Sequence, residues 1–149
     1  MSWKEVHETI LIEMQEVTGL TFLENTIPVY IVPTYEGAFS DPIVISSLQT
    51  EHFVDVLTHE LIHRLGDYNK EKVSIRGIGK ELYKHIDDHI FQDHIFVHAI
   101  HTYLYLDILK TPQSLADDIA SSDGAYANAW QLVQDTGYKE IIERFKKCY

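Results

Sequence analysis

His59 and His63 stand four residues apart in the run Val56-Leu-Thr-His-Glu-Leu-Ile-His-Arg-Leu65, with Glu60 directly after the first histidine. On a helix, positions i and i+4 share a face, so the two imidazoles can close on a single ion. Glu60 then lies at the shoulder of that face. There it is placed to take a proton from metal-bound water rather than to ligate the metal itself. Zinc lowers the pKa of such a water towards ~7, which makes it a usable nucleophile at neutral pH. Nine histidines in 149 residues also point to metal binding as the first explanation to test.

The same run closely resembles the active-site helix of zincin metallopeptidases, with Thr58 before the motif and bulky apolar residues at 57, 61, 62 and 65. The resemblance covers roughly residues 29–106 and is firmest over 56–65. It implies a zincin-like α+β domain, a Zn2+ cofactor held by His59 and His63, and Glu60 as catalytic base. Metzincins carry a glycine at the position of Gly66, but their third ligand position is Asn69 here. Asparagine is a poor zinc ligand, and Met1 and Met14 both precede the motif, so no Met-turn follows it. The likeness is therefore to small gluzincin-like peptidases, whose third ligand is a glutamate on a second helix. Here the second helix offers few glutamates but many histidines.

His94, His98 and His101 recur at spacings of four and three, and Asp87 and Tyr105 belong to the same stripe. Ile90 also falls in it, which makes the stripe core-facing, whereas His85 and His89 point elsewhere. A helix aiming this stripe at the metal completes a three-histidine site with His94 as the third ligand, or His98 as the alternative. The remaining histidine would donate to a partner such as Asp87 or Asp55. Zincins also pair extended substrate with an edge strand, for which Gly37, Ala38 and Phe39 are the expected equivalents. Tyr105, His101 and Tyr83 are the candidate oxyanion donors.

The elements around the motif are legible to different degrees. Val6, Ile10, Met14 and Val17 predict an amphipathic helix over 3–18, stopped at Gly19. The runs at 28–33 and 42–46 predict strands, with a weaker third over 35–40 and a turn at Asp41-Pro42. A helix is expected over 50–65 with Gly66 as its cap, then a connecting loop over 67–79 as a possible lid. One long helix is expected from about Lys80 to Lys110, and shorter ones over 116–120, 126–134 and 139–147. The fold class is α+β, mostly helical, in a single domain over 1–149.

Composition narrows the functions. The net charge of −11 disfavours nucleic-acid binding, and no apolar run is long enough for a membrane span. A single cysteine, Cys148, and the absence of an apolar leader fit a cytoplasmic location. Asp135-Thr136-Gly137 matches an aspartic-protease triplet but ends a helical pattern, so Gly137 reads as a helix terminus. The expected function is a zinc metallopeptidase acting on a peptide or protein substrate. The alternatives are a catalytically inactive zinc-binding or interaction protein, and a zinc hydrolase acting on a non-peptide substrate. A deformylase lacks its cysteine here, and a three-histidine zinc ribonuclease is weakened by the charge.

Overall fold

The computed structural model describes residues 1–33 and 37–149, and the side chains of 49–51 lie outside that description. The chain opens with α1 (Trp3–Thr18), started by a Ser2–Glu5 capping box and ended by Gly19 at φ 71. Only a residue without a Cβ takes that backbone cheaply, and its N–H closes on the Gln15 carbonyl. Ile10 and Met14, the inner stripe of α1, are fully buried.

Strands β1 (Val29–Val32), β2 (Ala38–Ser40) and β3 (Ile43–Ser46) form a sheet of order β1-β3-β2. Strand β3 is central, parallel to β1 and antiparallel to β2. Its Ile43 and Ile45 point into the core, as the alternation of a half-covered sheet requires. The expected third strand is therefore shorter than residues 35–40, and Tyr35 and Glu36 lie outside the described residues.

A 3-10 turn (Ser47–His52) leads into α2 (Phe53–Asn69), which packs against β2 and β3 and buries Leu57, Leu61 and Leu65 in the core. Helix α2 runs through Gly66, which is therefore not its cap. The helix instead ends at Asn69, whose side-chain amide donates to the Leu65 and Thr21 carbonyls. Beyond it, α3 (Ile75–Leu82) is capped by Ser74, whose side chain accepts from the Gly77 N–H. The segment expected as a loop over 67–79 thus contains the last turn of α2 and the start of α3.

The long helix expected from Lys80 to Lys110 is also divided. Asp88 accepts from the Ile90 and Phe91 N–H groups, an N-cap that starts α4 (His89–Tyr103) afresh. Asp87 consequently sits in the exposed connection before α4, not on the histidine stripe. A π-helical segment (Leu104–Ile108) extends α4, with the Leu109 N–H reaching back to the Leu104 carbonyl. Every residue from Gln92 to Thr102 except Asp93 is buried, because α4 is enclosed by α2, α3, α6 (Gly124–Thr136) and α7 (Tyr138–Lys146). A helix buried on all sides belongs at the centre of its fold, and this one carries Gln92, His94, His98, His101 and Thr102 inward with its apolar residues. Helix α5 (Pro112–Ser121) covers the π-helical end, and Gly137, at φ 92, closes α6 as expected. The architecture is mostly helical α+β. No helix among the described residues is long and apolar enough to cross a membrane.

Candidate metal centre and its cavity

Helices α2 and α4 bring His59, His63 and His94 together. A ring nitrogen from each of the three lies within 4.8 Å of one from every other. The ring centroids are 5.0 Å apart for His59–His63, 5.2 Å for His59–His94 and 4.9 Å for His63–His94. The Nε2 atoms of His63 and His94 face each other at 3.3 Å. Two nitrogens bound tetrahedrally to one zinc at Zn–N distances of about 2.0–2.1 Å stand about 3.3 Å apart, so the three residues have a spacing that could hold an ion.

The protonation pattern suits the same purpose. His94 Nδ1 lies 2.7 Å from the Ile90 carbonyl, which can only accept, so Nδ1 carries the proton and Nε2 keeps its lone pair. Burial holds all three imidazoles neutral: His59 falls well below its ordinary value, His63 falls to about 3, and His94 is lowered. Neutral histidines ligate a metal without first losing a proton.

Glu60 is buried beside this cluster, and burial raises its carboxyl to about 7. A carboxylate poised near neutral pH is suited to accept and return a proton. Glu60 and His59 line a cavity of about 420 Å³ together with Gly37 and Ala38 at the start of the edge strand β2. Phe39, the next residue of that strand, is half exposed.

The other histidines of the stripe stand further along the cavity wall. His98 lies flat on Trp130, with centroids 3.8 Å apart and planes 8° from parallel, and its ring is 5.8 Å from that of His59. His101 is 6.2 Å from His59 and stacks on Tyr105. Tyr105 is buried behind His101, and its hydroxyl is pushed strongly upward by burial and by the nearby Asp118 and Asp55 carboxylates. Tyr83 closes the far end of α3 against Phe145 and does not belong to the cavity. Asp55, one turn before His59, does line it.

Three residues of this site carry no local sequence signal. Tyr126 on α6 places its ring 4.3 Å from that of His94, and burial followed by the Glu60 charge raises its hydroxyl pKa. Trp130, on the same helix, backs His98 and donates its Nε1–H to Ser122. Asp118 on α5 faces His101 Nδ1 at 3.7 Å. All three come from helices far along the chain, and no spacing rule links them to the motif.

Two outcomes follow from this packing. Trp130→Ala removes a fully buried ring and the support of His98, and is expected to cost about 3–5 kcal/mol in urea unfolding. A cost below about 1 kcal/mol would show that α6 does not pack on α4 in this way. The metal-free protein is expected to lose stability as pH falls from 6.5 to 4.5. His63, His98 and His101 are held by burial at about 3, 2 and 3 in the fold but protonate near 6.5 when unfolded. Each therefore favours the unfolded state by about 1.4 kcal/mol per pH unit in that window. Glu60 and Asp118, raised to about 7 and about 6, act with the opposite sign, but they are outnumbered. A thermal midpoint that stayed level or rose on acidification would contradict this.

Compared with family models, curated proteins and solved structures, the chain gives no match.

Proposed function

We propose that this protein is a zinc-dependent peptidase. The observation that carries the reading is the 3.3 Å approach of His63 and His94 Nε2, with the His94 proton committed to the Ile90 carbonyl. The His94 Nε2 lone pair is thereby left pointing at His63 Nε2, at a separation that two ligands of one cation would also have. His59, His63 and His94 would hold the ion, which when bound acidifies a water and polarises a carbonyl. Three protein ligands leave a fourth tetrahedral position open, the pattern of catalytic rather than structural zinc.

Glu60 receives the water proton and returns it to the leaving amine, a transfer suited to a carboxyl held near neutrality. A peptide is the substrate favoured by the edge strand. Gly37 and Ala38 share the cavity with His59 and Glu60, so an extended chain adding to β2 is carried across the site. The test is incubation of zinc-loaded protein with a mixed peptide library in H2(18)O, read by mass spectrometry. Cleavage with one heavy oxygen in the new carboxylate, abolished by chelation, supports the reading. Zinc retention without cleavage of any peptide would favour the binding-protein or non-peptide alternatives.

A further inference from the structure

Beyond Glu60, the cavity runs into a wall built from Asp55, Asp117 and Asp118, and among its described lining residues there is no lysine or arginine. Four histidines share this lining, His52, His59, His98 and His101, of which His52 is close enough to Asp118 to interact with it electrostatically. His101 is 2% exposed, and its Nδ1 has no hydrogen-bond partner. It stands 3.7 Å from Asp118 Oδ2, too far for a direct hydrogen bond. A single group rich in N–H donors, seated beside the pair, can donate to both atoms at once. Asp118 is itself about a third exposed, and no lysine or arginine among the described residues forms an ion pair with it. His101 also ties this wall to the metal cluster, its ring being 6.2 Å from that of His59.

We infer that this acidic wall is a recognition pocket for the positively charged group of the substrate, an ammonium or guanidinium, held by Asp118 and Asp55 with the unpartnered His101 Nδ1 as a further acceptor. The inference rests on the peptidase reading and adds to it a substrate class, namely peptides carrying a cation within one residue of the scissile bond. The cation arrives either on a basic side chain or as a free α-amine. The chemistry is the same in both cases: carboxylates in a partly dry pocket discriminate strongly for charge.

The test measures binding rather than turnover, so its outcome does not depend on whether peptides are cleaved. Zinc-loaded protein is titrated, with NMR detection, against Nα-acetyl-lysine amide, norleucine amide with its free α-amine, and Nα-acetyl-norleucine amide as neutral control. The zinc content of the same sample reports separately on the metal site. At least one cationic probe is expected to bind about tenfold tighter than the neutral control. Which one does so distinguishes a basic side chain from an amino terminus. Asp118→Asn and Asp55→Asn are each expected to reduce that preference severalfold while zinc content is kept, and Asp118→Glu is expected to retain part of it. Equal binding of all three probes, or a preference untouched by both asparagine variants, would overturn the inference even in a protein that cleaves peptides.

Discussion

Glu60→Gln is expected to keep zinc and to lose hydrolysis, with kcat falling by about two to four orders of magnitude and KM little changed. Glutamine reproduces the shape of the side chain and its hydrogen-bonding reach, but it cannot accept the water proton. In the metal-free protein the carboxyl is buried and raised to about 7, so it holds a proton more readily than an exposed glutamate does. None of the three converging imidazoles requires Glu60 as a ligand, which is why metal content is expected to survive the change. A variant with wild-type turnover would remove Glu60 as the base.

His94→Ala is expected to weaken zinc binding more than about a hundredfold, whereas His101→Ala is expected to weaken it far less. The difference follows from position. His94 Nε2 is directed at His63 Nε2, while His101 stands behind the triad against Tyr105. Losing one of three ligands removes a metal bond outright, whereas losing a supporting group typically costs 10–100-fold. Competition with a chelator of known affinity measures both variants side by side, and equal affinities would refute this ordering. His98→Ala belongs in the same series, because its stack on Trp130 gives it a packing role that can be read separately by unfolding.

What the sequence made legible follows the range of the forces involved. The motif helix declared itself because His59, Glu60 and His63 lie within one turn, and Leu57, Leu61 and Leu65 fix which side of that turn faces the core. The stripe of His94, His98 and His101 was legible for the same reason, although Asp87 fell out of it. The helix begins at His89, two residues after Asp87, because Asp88 found two backbone N–H groups to cap. That competition between a short acidic side chain and continued helix is decided by local geometry, which apolar spacing does not reveal. Gly66 misled in the opposite direction. As a helix cap it was plausible, yet tertiary packing of Ile75 over it and the Asn69 side chain beyond it carried α2 one more turn. Tyr126, Trp130 and Asp118 were illegible because they reach the site only when α5 and α6 fold back over α4. The edge position of β2, by contrast, rests on a strand order that no short-range pattern specifies.

The most direct test of the central claim is the zinc content of the purified protein, measured by elemental analysis on wild type, His59→Ala and His94→Ala together. One zinc per chain in the wild type, lost in both variants, is the predicted result. A wild-type protein that holds no zinc even after incubation with the metal would contradict the account, and the three histidines would then be a buried packing cluster rather than a metal centre.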